Sequence, residues 1–143
     1  MPCLNLQFTT LGPVIDVLVY VSTPRKEIMD AAGLPIPNPV PCHLLIDTGA
    51  SNTCIDPEKI KLLKLTPSGN TPVHTPSTTP DKMHNCNQYD VGIIIPDFWH
   101  FHAVPILESS LSHQGIDGLL GRDILKECIL IYNGILGSYT LSI

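Results

Sequence analysis

Leu44-Leu45-Ile46-Asp47-Thr48-Gly49-Ala50-Ser51 runs three apolar residues directly into an acid, a hydroxyl and a glycine. The triplet reads as a buried strand, and the Asp-Thr-Gly that follows reads as the tight turn ending it. A carboxylate at the end of a core strand is costly, because burial disfavours its charged form. The position makes physical sense when the group is hydrogen-bonded, paired, or kept partly protonated for use as an acid or base. A structural Asx-turn is the plain alternative, and for an arbitrary Asp-x-Gly it is the better reading.

A second segment shifts that balance: Gly115-Ile116-Asp117-Gly118-Leu119-Leu120-Gly121-Arg122-Asp123-Ile124-Leu125. Two hydrophobic residues and a glycine precede a short helix that opens at Arg122. Together the two segments resemble those of a retropepsin-like aspartic protease, with Asp47-Thr48-Gly49-Ala50 in the place of the catalytic signature and Leu119-Leu120-Gly121-Arg122-Asp123 in that of its partner motif. The resemblance extends over most of the chain, and Gln88-Tyr89-Asp90 falls where the family's strand leaves the flap. It implies an all-β fold: a single-lobe closed β-barrel, the acid protease fold, with one or two short helices, forming a homodimer. Residues 1–143 are expected to form one domain, with a proline-rich insertion at 33–41 and a flap within 66–82. The connector and the long C-terminal return depart from the minimal viral pattern and resemble stand-alone cellular and bacterial members more.

Outside these motifs, short apolar runs at 14–21, 42–46, 91–95, 101–106 and 129–132 read as strands, most of them bounded by Pro, Gly, Asn or Asp. Fourteen prolines leave little room for long helices. Three stretches read as helical: 25–32, 58–65 with Asp56 as N-cap and Pro57 at the first helical position, and 122–127. Asn133-Gly134 separates the run 129–132 from a final run 139–143, which predicts a hairpin-like return. Residues 66–82 carry four prolines and few apolar side chains, so the segment is expected to project into solvent.

Composition narrows the function classes. At 143 residues the chain is long enough for one domain with a real core. Hydrophobic residues are 43% and charged residues 15% of it, and mean hydropathy is +0.20, which excludes a disordered or coiled-coil chain. Net charge is −5, with no basic block, so neither nucleic acid nor an anionic membrane is an expected partner. No apolar run approaches the roughly 20 residues needed to span a bilayer, and the first seven residues lack the pattern of a secretory signal. A cytoplasmic location is expected. Five widely spaced cysteines without a C-x-x-C pair fit free or buried thiols.

The resemblance implies a mechanism. Aspartic peptide hydrolysis needs two carboxylates that share one proton, one activating a water molecule while the other protonates the carbonyl oxygen. No second Asp-Thr-Gly or Asp-Ser-Gly occurs; Asp90-Val91-Gly92 and Asp117-Gly118 do not match. The second acid is therefore expected from another copy of the chain, with Asp47 facing its symmetry mate. In the family pattern Thr48 bonds across the axis, Gly49 lets the backbone approach the substrate, and Ala50 continues the cleft floor. Leu119 presents an apolar wall, and Thr75, Pro76, Ser77, Thr78, Thr79 and Pro80 form the flap tip over an extended polypeptide substrate. Arg122 is implied to be structural, tying the helix start to the segment after the turn. Viral members often carry an acid after the catalytic Ala where this chain has Ser51 and Asn52, so an ion pair from Arg122 needs another partner, with Asp56 the candidate. The viral chain ends interleave into a dimer sheet. The return ending Leu141-Ser142-Ile143 either does the same or pairs within its own chain.

No cofactor is expected. His84-x-Cys86 and His100-x-His102 could each present two ligand-type side chains on one strand face, but a closed four-ligand spacing is absent, so strand-surface histidines are the expected reading and no metal is assigned. Gly115-x-x-Gly118-x-x-Gly121 is not a dinucleotide fingerprint. Ser51 lacks the second glycine of a nucleophile elbow, and Cys54 lacks an identifiable histidine partner. The functional expectation is an aspartic endopeptidase. The competing class is a non-catalytic dimerisation or peptide-binding module on the same fold.

Overall fold

Strict alternation builds the first long strand. In Val14–Val21 (β2) Ile15, Val17, Val19 and Val21 are buried while Asp16 is exposed, and Val40–Ile46 (β3) repeats the pattern with Val40, Cys42, Leu44 and Ile46. The computed structural model describes residues 2–73 and 84–143. The other strands are β1 (Cys3–Gln7), β4 (Cys54–Ile55), β5 (Gly69–Val73), β6 (His84–Ile95), β7 (Trp99–Glu108), β8 (Gly118–Leu120), β9 (Ile129–Asn133) and β10 (Ser138–Ser142). All three helical stretches form, as α1 (Thr23–Ala31), α2 (Pro57–Lys61) and α3 (Arg122–Leu125). Among the described residues no helix is long and apolar enough to cross a membrane.

Strand order β2-β3-β8-β4-β7-β6, with β6 pairing back onto β2, closes a six-stranded barrel, and β5 extends it beyond β6. Closure depends on bending the β6–β7 ribbon. Between the pairs Val91↔Val104 and Ile93↔Phe101, β7 carries one residue more than β6, a bulge that adds twist. Gly92 lies at this point, where a Cβ would come within 3.1 Å of the Val21 carbonyl on β2. The interior is filled by Leu44, Ile55, Val91, Ile93, Ile106 and Leu120, all essentially inaccessible. Each contributes about 1.5–3 kcal/mol by leaving water.

A second sheet, ordered β1-β10-β9, packs against the barrel. Tyr139 is its anchor: the ring is buried, and its hydroxyl donates to the Val14 carbonyl at the start of β2 (2.9 Å). The predicted hairpin is thus β9–β10, and β10 pairs within its own chain on both sides, with β1 and with β9. Neither edge of β10 is free to interleave with another chain.

Several boundaries differ from the sequence reading: α1 begins at Thr23 and α3 ends at Leu125, while β6 and β7 run longer than the apolar runs 91–95 and 101–106. The helix begun by Asp56 and Pro57 ends at Lys61 instead of reaching 65, because Lys64 takes a left-handed conformation (φ 52°) that turns the chain so that Leu63 enters the core. In the proline-rich stretch only 34–39 is irregular. Val40 and Pro41 belong to β3, where Pro41 precedes the start of β8 pairing at Leu44 and so lies at an edge that tolerates a missing N–H.

Asp56 does more than cap a helix. It is only 2% exposed, and its carboxylate accepts from the backbone N–H groups of Glu58, Leu111 and Ser112 at 2.9 Å each, joining α2 to the segment after β7. Burial alone pushes its carboxyl up, but these donors outweigh burial and hold it below its ordinary value. A depressed folded-state value stabilises the protein fully above the ordinary carboxylate range of about 4. That stabilisation is lost as pH falls through the lower folded value. Asp56→Asn, which turns an NH2 group toward buried donors, is expected to cost about 2–3 kcal/mol at neutral pH and to flatten the loss of stability below about pH 4, read by urea unfolding across pH. Gly118→Ala is expected to lower the melting temperature by about 6 °C or more, because its Cβ would meet the Cys54 carbonyl at 2.2 Å. An unchanged melting curve would show that β4 and β8 are not held this closely.

Candidate active site

Parallel pairing of β3 with β8, in the register Leu44↔Gly118, Leu45↔Leu119 and Ile46↔Leu120, brings the ends of the two motifs side by side. The pairing continues one step past the strands, with the Asp47 N–H donating to the Leu120 carbonyl (3.0 Å). Asp47, half-buried, then opens a turn in which the Gly49 N–H donates to Asp47 Oδ1 (2.8 Å) and the Ala50 N–H to the Asp47 carbonyl (3.2 Å). This is Asx-turn geometry, and it orients one carboxylate oxygen while Oδ2 has no donor among the described residues. A Cβ on Gly49 would lie 3.1 Å from Asp47 Oδ1, so the smallest residue keeps the backbone against the acid.

The partner segment clamps this turn. Arg122 donates from its backbone N–H to the Ala50 carbonyl (2.8 Å), from Nη1 to the Thr48 carbonyl (2.8 Å) and from Nη2 to Ser51 Oγ (2.9 Å). The arginine joins the start of α3 to the turn, and its partners are neutral. Asp56 is not among them: its carboxylate is committed to Glu58, Leu111 and Ser112. Geometry, not an ion pair, gives Arg122 its hold.

Beneath the turn lies a network that the sequence reading left without a role. Asp123 accepts from Thr53 N–H (2.9 Å) and Thr53 Oγ1 (2.7 Å), and Thr53 Oγ1 in turn accepts from Gly121 N–H (3.1 Å). Thr53 is fully buried, so each of these groups is satisfied away from water. Gly121 permits the approach, since a Cβ there would fall 2.6 Å from the Asn52 carbonyl carbon. The available signal was that Gly121 has no side chain to cap α3, leaving Asp123 in its first turn to do so through the Ile124 N–H (3.0 Å).

The other expected site residues fall as follows. Thr48 and Gly49 are exposed on the turn, and Ala50 is half-buried. Leu119, on β8, packs partly buried with Leu45, Val14 and Cys86 against Cys54, Leu107, Leu111 and Ile116. Thr75, Pro76, Ser77, Thr78, Thr79 and Pro80 lie outside the described residues; the strands leading to and from them, β5 and β6, pair antiparallel. Cys54 is no nucleophile. Burial pushes its thiol up to about 11, the negative field of Asp47 adding to burial and a hydrogen bond with the Leu119 backbone opposing it. The His100 and His102 rings meet at a tilt of 38° with centroids 4.1 Å apart, and burial lowers the pKa of His100, with His102 adding to the effect. Among the described residues they join no group of three or more His, Cys, Asp or Glu.

Comparison with known proteins places this geometry. A model of the aspartyl protease family matches residues 36–124, well over half of the chain and both motifs. No curated protein matches the sequence. The crystal structure of a retropepsin-like aspartic protease from Rickettsia conorii superposes with a TM-score of 0.59 at 13% identity, covering 97% of this chain and 89% of that one. EIAV protease complexed with the inhibitor HBY-793 aligns at 18% identity over 81% of this chain and 86% of its own, with a TM-score of 0.44. The family match spans the Asp47 turn and the β8–α3 segment that holds it, and the barrel superposes on that of the rickettsial enzyme: the chain belongs to the aspartyl protease family and has the retropepsin-like fold.

Proposed function

We propose that the protein is an aspartic endopeptidase that hydrolyses peptide bonds in extended polypeptides, working as a homodimer with one Asp47 from each chain. The observation that carries this reading is the presentation of Asp47: a half-exposed carboxylate on a turn held by Leu120, Arg122 and its own Gly49 N–H, beside an apolar wall that includes Leu119. A pure binding module has no need of an acid positioned in this way.

In the proposed reaction two Asp47 carboxylates share one proton across the twofold axis. The ionised carboxylate takes a proton from water, which attacks the scissile carbonyl carbon, while the protonated one donates to the carbonyl oxygen. Collapse of the tetrahedral intermediate returns a proton to the leaving nitrogen and breaks the C–N bond. Thr48 bonds across the axis and holds the two turns together. Gly49 and Ala50 line the cleft floor, Leu119 contacts substrate side chains, and 75–80 close over the peptide backbone. Arg122 positions the turn and does not touch the reacting atoms.

Asp47→Asn is expected to lower hydrolysis of a peptide library by at least about 100-fold while circular dichroism and sedimentation stay those of the wild type. Hydrolysis by the purified variant at the wild-type rate would end the assignment. Two like charges that work with a single proton between them predict a bell-shaped profile of kcat/KM with an acidic optimum. A statine-containing peptide, which mimics the tetrahedral intermediate, is expected to inhibit; a flat profile together with insensitivity to it would instead support the non-catalytic module.

A further inference from the structure

Arg122 carries a positive charge that nothing beside it neutralises. Its side chain donates to the Thr48 carbonyl and to Ser51 Oγ, both neutral, and it takes part in none of the ion pairs among the described residues. Ser51 and Asn52, which follow the Asp47 turn, are uncharged and exposed. The neighbouring Asp123 commits its carboxylate to Thr53 and to the Ile124 N–H. Arg122 stays exposed in spite of its two bonds, so its charge is open to whatever lies along the turn. Ser51 adds to this. Its oxygen accepts from Arg122, so its own hydrogen is free for another acceptor, and the described residues supply none. Arg122 and Ser51 together therefore offer hydrogen-bond donors and a positive charge, a short way along the chain from Asp47.

We propose that Arg122, with Ser51, selects an acidic side chain in the peptide substrate and so determines specificity at a position away from the scissile bond. The proposal rests on the endopeptidase reading above and names a substrate class for it. A carboxylate suits the pair because it accepts from a guanidinium and a hydroxyl at once and supplies the missing charge. A lysine side chain in the same place meets a like charge and finds no acceptor. The chain as a whole, with a net charge of −5, disfavours acidic ligands. The preference is therefore confined to the substrate positions that reach Arg122 and does not extend over the whole peptide. In the twofold dimer of that reading a second Arg122 stands on the other side of the scissile bond, so an acid is accepted on either side.

A neutral peptide that the wild type cleaves is the parent for the test. Glu, Gln or Lys is placed singly at each of the four positions on either side of the scissile bond, and kcat/KM is measured for every peptide. At one or more positions on each side, kcat/KM is expected to be about three- to tenfold higher for Glu than for Gln, chiefly through KM, with Lys below both. The difference is expected to shrink as salt is raised from about 0.05 to about 0.5 M. Ser51→Asp gives the guanidinium a carboxylate of its own, and the Glu-to-Gln ratio is expected to fall to about one; a ratio taken within one protein cancels any change in its overall rate. Equal values for Glu and Gln at every position in the wild type, or a Glu preference that persists unchanged in Ser51→Asp, overturns the proposal, while hydrolysis of the parent that depends on Asp47 leaves the endopeptidase reading standing. If Asp47→Asn cleaves the parent as the wild type does, the endopeptidase reading itself falls.

Discussion

The parallel pairing of β3 with β8 is the constraint on which the site depends. Each strand ends in residues that do not continue the sheet: Asp47-Thr48-Gly49 after β3, Gly121 and the start of α3 after β8. Because the strands run in the same direction, their ends arrive together. The Asp47 N–H then reaches the Leu120 carbonyl, and Arg122 reaches back over the turn to Thr48, Ala50 and Ser51. An antiparallel pair would have placed these two ends a strand length apart.

Close backbone approach makes that pairing possible. Gly118 admits the Cys54 carbonyl of β4, and Gly121 admits the Asn52–Thr53 backbone, where any side chain would collide. Two carboxylates then finish the frame from below, the half-buried Asp123 through Thr53 and the buried Asp56 through the segment after β7. Each is surrounded by hydrogen-bond donors that offset the loss of water, which is the condition under which a buried carboxylate stabilises a fold. The acid proposed to do chemistry contrasts with them. Asp47 accepts one described side-chain hydrogen bond, where Asp123 and Asp56 each accept three, leaving an oxygen available.

The small sheet shows how a departure from the minimal pattern changes what a segment can do. With β10 enclosed by β1 and β9, the C-terminal strand is a structural element of its own chain, anchored by the Tyr139 ring and its bond to Val14. The outer strand β9 pairs on one side only and carries the exposed Ile129, Ile131 and Tyr132.

What could be read from the amino-acid order was local. Alternation of apolar residues marked β2 and β3, Asp56-Pro57 marked the start of α2, and Asn133-Gly134 marked the hairpin, because each reflects the period or turn chemistry of a few adjacent residues. The two motifs announced themselves for the same reason. The partners of Arg122, the bonding of buried Thr53 to Asp123, the second role of Asp56 and the pairing of β10 with β1 join residues 55 to 139 positions apart. Such contacts leave no periodic trace along the chain. They arise only when barrel closure sets strands from distant segments side by side, so tertiary structure alone decided them.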